Sequence, residues 1–341
     1  MYVRIFITIF VIIVTCACTS DNNFEINDAP VEVICKLSNN IAEVGSIESL
    51  CVFKDGFAAI TNPDNVFVYD FNGKQKYTIG HSGNANFEYN RPFIIRSLED
   101  SLYVWSANSL KFIVYSKDGT PVKEYPYRSS IRDFVPSKDK LIIYNSGVNY
   151  GYTIDIYSKG TKGVTESIIE TSNEHKVLLS LMSVAPLICQ ENRVFFVPKD
   201  KLIVTGYDMV NHKYNVSEIQ SQTFNVKELR DLDILKNRKQ MIEFLMSSSA
   251  SISLIPHNND ILLLTLEGYE VLDEEQHRID YSNRYYALYE VGSGKTKALY
   301  TYESLSSVYL FSVFEDSLYF IKREYNEELN DESYYLCRLN I

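Results

Sequence analysis

Residues 100–119 read DSLYVWSANSLKFIVYSKDG. Two short apolar runs, 102–106 and 112–116, flank a polar corner, and Lys117-Asp118-Gly119 closes the second with a turn. Short apolar runs bounded by turn residues read as strands. A hairpin of two strands cannot bury both its faces by itself, so this unit requires neighbours of the same kind.

The neighbours lie along the chain on both sides. An Asp or Asn followed after one residue by an apolar strand recurs at Asp55, Asp100, Asp139, Asn192, Asn259 and Asp316, at spacings of 39 to 67 residues. A second pattern, an apolar strand with Tyr near its end and then a Gly turn, alternates with the first. It reads FVYDFNGK from Phe67, IVYSKDGT from Ile113, IDIYSKGT from Ile154 and ALYEVGSGK from Ala287. Each repeat therefore carries four strands, a to d, with Asp/Asn at the a–b turn and Gly at the c–d turn. A period of this length indicates stacked or radial repeats. We expect an all-β chain: one six-bladed β-propeller of four-stranded antiparallel blades at about 46–80, 93–127, 131–169, 184–219, 251–301 and 307–341. The last blade lacks a fourth strand, and an unassigned strand at 31–37 (VEVICKL) is free to complete it and close the ring. Closure removes the unpaired sheet edges an open ring would leave.

The stretch IGHSGNANFEYNRP from Ile79 resembles the inter-blade linker of six-bladed NHL/TolB-like propellers, matching it at Gly80, Gly83, Phe87 and Pro92, with Asn84-Ala85-Asn86 in place of the central Gly-Pro-Gly. Such propellers are common among Bacteroidetes lipoproteins. The resemblance covers about 31–341 and implies fold rather than chemistry, because propellers host many unrelated functions.

The N-terminus carries an address. Arg4 precedes an apolar run of ten, IFITIFVIIV, and then Thr15-Cys16-Ala17-Cys18. Ten residues are too short to span a bilayer, which takes about 20. The run reads as a signal peptide over 1–17. Thr15–Cys18 resembles a bacterial lipobox, with Thr15 where the family usually has Leu, and the resemblance implies cleavage before Cys18 and lipidation of that residue. A plain secretory cut nearby is the other reading, and both export the domain. Residues 18–30 read as a tether and 31–341 as the propeller. The expected location is the outer membrane, on its periplasmic or cell-surface side, held by lipid alone.

Composition narrows the partners. The 341 residues carry a formal charge of −11, spread along the chain. Nucleic acid and anionic membrane surfaces call for a basic patch, so neither is expected as a partner. The five His are scattered, and no nucleophile elbow, Walker loop or Rossmann fingerprint appears. No cofactor or metal is expected. Asp273-Glu274-Glu275 with Asp280 lacks the alternation of a calcium loop and reads as a solvated turn. Cys35, Cys51, Cys189 and Cys337 show no metal spacing. The repeat places Cys35 and Cys337 on neighbouring strands, the one pair that could form a disulfide, with buried free thiols as the alternative.

Long connections concentrate on one face. Segments 80–92, 170–183 and 220–250 between blades, and 267–283 and 324–332 between strands b and c, all emerge there, and connections of this length are commonly functional or disordered. Within the largest, 226–246 carries Leu229, Leu232, Leu235, Met241, Ile242 and Leu245 at helical spacing, with Asn225 as N-cap and Glu228 three residues on. That helix either covers apolar surface or serves as a lid or docking element. Aromatic and arginine side chains anchor binding surfaces, and Tyr89, Arg91, Trp105, Asn108, Tyr150, Tyr269 and Tyr285 fall on the decorated face. They are the candidate ligand-binding residues for a glycan, peptide or protein, each weighed against a packing role. The tyrosines ending strand c (Tyr69, Tyr115, Tyr157, Tyr289) are expected to pack between blades. The function expected is a non-catalytic binding module of the cell envelope. The alternative is a hydrolase or lyase with its site at the mouth of the central channel.

Overall fold

The computed structural model describes residues 25–38, 45–62, 64–146, 151–170, 186–198, 201–221, 223–226, 237–273, 278–305, 308–326 and 331–341. The fold is a six-bladed β-propeller of four-stranded antiparallel blades. Strands β1 (Ile26–Asn27) and β2 (Val31–Lys36) precede the first blade. Blade 1 holds β3 (Ser46–Phe53), β4 (Gly56–Asn62), β5 (Asn65–Tyr69) and β6 (Gln75–Thr78). Blade 2 holds β7 (Pro92–Leu98), β8 (Ser101–Ser106), β9 (Lys111–Ser116) and β10 (Pro121–Pro126). Blade 3 holds β11 (Ile131–Pro136), β12 (Lys140–Asn145), β13 (Tyr152–Ser158) and β14 (Gly163–Glu170), and blade 4 holds β15 (Leu187–Gln190), β16 (Arg193–Phe196), β17 (Ile203–Asp208) and β18 (Lys213–Glu218).

Helix α1 (Arg238–Ser247) stands between blades 4 and 5. Blade 5 holds β19 (Ala250–His257), β20 (Asp260–Gly268), β23 (Arg284–Glu290) and β24 (Lys295–Thr301), with the small hairpin β21 (Val271–Asp273) and β22 (Arg278–Asp280) raised between its middle strands. A short helix, α2 (Tyr302–Leu305), leads into blade 6: β25 (Val308–Phe314), β26 (Ser317–Asn326) and β27 (Asp331–Leu339).

Ring closure follows the expected route. β2 pairs antiparallel with β27 as the fourth strand of the last blade. The stretch expected to be a tether also does structural work: Ile26 and Asn27 add a parallel fifth strand to β24, and Thr301 donates to the Asp28 carboxylate at 2.7 Å. Cys35 and Cys337 lie on these paired strands, one step out of register, with Val33 opposite Cys337 and Leu336 opposite Cys35. Both are free thiols, as are Cys51 and Cys189.

Burial explains the layering. Middle strands such as β8 and β9 are buried along most of their length, whereas outer strands such as β10 and β18 are largely exposed. A four-stranded blade thus presents two apolar faces to its neighbours and a wet outer edge to solvent. Six hydrophobic clusters fill the six interfaces between blades, and the tyrosines ending strand c, Tyr69, Tyr115, Tyr157 and Tyr289, are buried in them.

The insertion carries the expected helix over its described part. The described helix begins at Arg238, and its N-cap is Asn237, whose side chain accepts from the backbone N–H groups of Lys239 and Gln240. Asn225 joins the two ends of the insertion, accepting from Ser249 N–H at 2.7 Å and donating its own N–H to the Ser249 hydroxyl at 3.0 Å. The reading of Asn225 as an N-cap falls on the segment that follows it, 227–236, which lies outside the described residues.

Candidate functional site

The innermost strand of each blade lines a central channel. Five of the six carry a β-bulge near the decorated face: register shifts fall between Ile47 and Ser49, Pro92 and Ile94, Ile131 and Asp133, Ser251 and Ser253, and Val308 and Phe311. A bulge inserts an unpaired residue and re-aims its side chain. The bulged residues Glu48, Phe93, Arg132, Ile252 and Leu310 all line a channel cavity of about 630 Å³. The repeated irregularity therefore sets a ring of unlike side chains around the channel.

Deeper in the channel, Arg96 and Asp133 form an ion pair of 2.6 Å, and the same carboxylate oxygen accepts from the Phe134 N–H at 2.7 Å. Burial pushes the Asp133 carboxyl above the ordinary aspartate range, and Arg96 opposes that shift without cancelling it. Hydroxyls knit the inner strands together: Ser49 accepts from Ile95 N–H at 3.2 Å, and Ser312 accepts from Val52 N–H at 3.0 Å.

A second cavity of about 540 Å³ opens on the decorated face between blades 2 and 3. Arg91, Phe93 and Arg132 line both cavities, so they stand at a shared rim. Arg128, Ser129, Ser130, Ser146 and Leu110 complete most of the second cavity's lining.

The linker before blade 2 holds Arg91 in place. Gly80 adopts φ +57, and a Cβ there would stand 2.6 Å from the Tyr115 hydroxyl, so the close approach needs glycine. Tyr89 donates to Ile79 C=O at 3.0 Å, and Tyr115 donates to Phe87 C=O at 2.7 Å. Glu88 accepts from Ala85 N–H at 2.8 Å and contacts His81 at 2.8 Å, which together hold its carboxyl below the ordinary glutamate range. Arg91 itself sits at φ +57, its carbonyl accepting from Ala107 N–H at 3.0 Å and its N–H donating to Asp64 at 3.3 Å. A non-glycine residue reaches this backbone region only when its surroundings impose it.

Of the residues singled out in the sequence, Arg91 is the exposed one that reaches the cavities. Trp105 borders the second cavity but is almost wholly buried, with its ring 4.7 Å from Phe112 and 6.1 Å from Tyr127, so its faces pack the blade interface rather than stack on a ligand. Tyr89 is fully buried and props the linker. Asn108 is exposed beside the site and donates to the Asn90 side chain at 2.9 Å. Tyr269 is exposed on blade 5 and lines neither cavity. The Tyr285 hydroxyl pairs with Thr223 at the base of the insertion, where the buried Glu267 accepts from Ser221, Thr223, Thr265 and Tyr289. Tyr150 lies outside the described residues, as does Cys18. Sequence reading passed over Arg128 and Arg132, although the run Arg128-Ser-Ser-Ile-Arg132 is basic in a markedly acidic chain. Among the described residues, no three His, Cys, Asp or Glu side chains gather as a metal site would require.

No family model and no curated protein sequence matches the chain. Solved structures do share its fold. A Bacteroides fragilis protein regarded as exported superposes with a TM-score of 0.61 at 11% identity, covering 91% of this chain and 96% of its own. A Bacteroides vulgatus member of the DUF4221 family superposes with a TM-score of 0.62 at 9% identity, covering 92% of this chain and 99% of its own. At such identities the likeness establishes the propeller fold alone.

Proposed function

We propose that this chain is an exported propeller, held to the outer membrane by lipid on Cys18, that binds a glycan, peptide or protein ligand on its decorated face. The observation that carries the reading is the shared rim: Arg91, Phe93 and Arg132 line a channel cavity and an adjoining surface cavity on the face where the long connections emerge. Concave sites with a few convergent polar groups on an apolar lining are the usual form of ligand sites. Export is supported by the signal-like N-terminus and by the Bacteroides fragilis neighbour regarded as exported. The lipobox-like Thr15–Cys18 supports the lipid anchor, and the linker at 79–92 supports kinship with NHL/TolB-like propellers.

Glycan and peptide arrays probed with the full-length protein in detergent test the binding reading. Ser130→Trp, which places bulk in the surface cavity, should abolish any hit, and a hit that survives it refutes this face as the site. Cys18→Ala should release the protein from the membrane fraction, and mass spectrometry of the mature N-terminus should find the acyl chains.

One observation favours a second reading, a hydrolase or lyase in the channel. Asp133 is a partly buried carboxyl whose affinity for its proton is raised, which is a common property of catalytic acids. Turnover in a broad hydrolase and lyase screen that vanishes in Asp133→Asn would establish that reading, and its absence would leave Asp133 a structural partner of Arg96.

A further inference from the structure

Three arginines, Arg91, Arg128 and Arg132, converge on the surface cavity, and among the described residues no acidic side chain lines it with them. Four other arginines among the described residues are paired, Arg96 with Asp133, Arg284 with Glu270, Arg323 with Glu332 and Arg338 with Glu32, whereas Arg193 stands singly at an exposed strand position. The chain has 44 acidic residues against 33 basic ones, so acids were plentiful and a local exclusion of them is informative.

Arg132 is the inner member of the three. The bulge in β11 turns it toward the shared rim, and its Nε is buried without a hydrogen-bond partner. Burial also pulls its guanidinium below the ordinary arginine range. A buried donor left unpaired is costly, and a bound acceptor removes the cost. Three hydroxyls, on Ser129, Ser130 and Ser146, and an apolar wall of Phe93, Ala107, Leu110 and Ile131 surround the guanidinium groups. Leu110, like Arg91, is held at positive φ, +50 against +57, so two of the lining residues sit in strained backbone.

We infer that the surface cavity between blades 2 and 3 binds a small organic anion, with a carboxylate, sulfate or phosphate group seated among Arg91, Arg128 and Arg132 and its apolar body against Phe93 and Leu110. Guanidinium groups suit this because they offer planar, paired donors to such oxygens. The inference rests on the reading that this face binds a ligand, and it adds the charge that ligand must carry.

Calorimetric titration of the full-length protein in detergent tests it with matched probes. Galacturonate is compared with galactose, an N-acetylated dipeptide acid with its amide, and sulfate with chloride at equal ionic strength. The charged member of at least one organic pair should bind about ten-fold or more tightly than its neutral partner, which identifies a saccharide or peptide source, whereas a response to sulfate alone would mark an inorganic-anion site and overturn the organic assignment. Arg91→Ser with Arg128→Ser, both at exposed positions, should reduce that binding at least about ten-fold while leaving the unfolding temperature unchanged. Arg132→Gln is the second variant, expected to weaken the anion more than either exposed change alone. Equal binding of charged and neutral probes, equal binding by wild type and variants, or no anion binding at millimolar concentration would each overturn the inference. A neutral array ligand blocked by Ser130→Trp would overturn it while leaving the binding reading intact. Array hits that all survive Ser130→Trp would instead remove the binding reading itself.

Discussion

Lys159 shows how a single burial shapes the behaviour of the protein. Its ammonium donates to the Tyr103 hydroxyl at 2.7 Å and to Ser137 C=O at 2.5 Å, and lies 4.5 Å from the Tyr103 ring centroid. Desolvation lowers its pKa from 10.5 to about 8, despite the opposing pull of Asp139 and Glu99. Because the folded value is the lower one, the unfolded chain binds more protons between these limits and stability rises with pH there. The penalty is complete below pH 8, and its full removal is worth on the order of 3 kcal/mol at 1.36 kcal/mol per unit. Above pH 9 the buried thiols oppose this trend, since Cys35, Cys189 and Cys337 are pushed up from 9.0 to about 11, and above pH 10 buried tyrosines add to the opposition, since Tyr89 and Tyr103 are pushed up to about 12 and ionise first in the unfolded chain. The urea midpoint of the wild type minus that of Lys159→Gln should therefore climb from pH 8 to 10, because the loss caused by the buried thiols above pH 9 is common to both chains; a difference that stays constant over this range would refute the account. The thiols give a second residue-scale test. Burial raises Cys35, Cys189 and Cys337 to about 11 and raises Cys51 as well, which suppresses the reactive thiolate. A thiol reagent should react slowly with all four in the native protein and rapidly in denaturant, whereas a shortfall of two in denaturant would mark a disulfide.

At the scale of elements, Arg284 fastens α1 to blade 5. Its guanidinium donates to the carbonyls of Leu245, Met246, Ser248 and Gly268, and pairs with Glu270 at 3.1 Å. The last carbonyls of a helix lack internal partners, so this one side chain completes the end of α1. Arg284→Met should strand the Ser248 carbonyl and the partly buried Glu270, while Leu245 and Met246 C=O keep the N–H groups of Ser248 and Glu270, costing about 2–4 kcal/mol in a local opening. Hydrogen exchange should show protection lost over 238–249 and retained in blades 1–3; loss everywhere, or nowhere, would contradict a local clamp. The same scale shows where sequence reading stops. The apolar runs of β8 and β9 were legible because each is short, buried on both faces and closed by Asp or Gly. The bulges were not, because an inserted residue such as Arg132 has no local signature and is defined only against a paired strand. Trp105 shows the same limit: its chemistry suits either a ligand platform or a packing role, and only the assembled blades reveal that it is buried against Phe112 and Tyr127.

For the whole molecule, closure rests on β2 pairing with β27, residues about 300 apart in sequence. Gly73 records how tightly that joint is packed, since a Cβ there would stand 1.8 Å from Lys36 C=O. Removing residues 25–37 should expose the outer edge of β27, lower the melting temperature by about 10 °C or more, and promote association through that edge. Light scattering and calorimetry together would check it; an unchanged, monomeric product would show that the ring closes without β2. What the amino-acid order determined unaided was periodic and local: the number of repeats, their strands and turns, the face carrying long connections, and the missing strand of the last blade. These were readable because alternation and turn chemistry act between residues close in sequence. Only the tertiary structure decided which side chains meet. Arg91, Arg128 and Arg132 come from an inter-blade linker, a second linker and a bulged inner strand. Their convergence depends on how blades pack side by side, and no spacing along the chain encodes it.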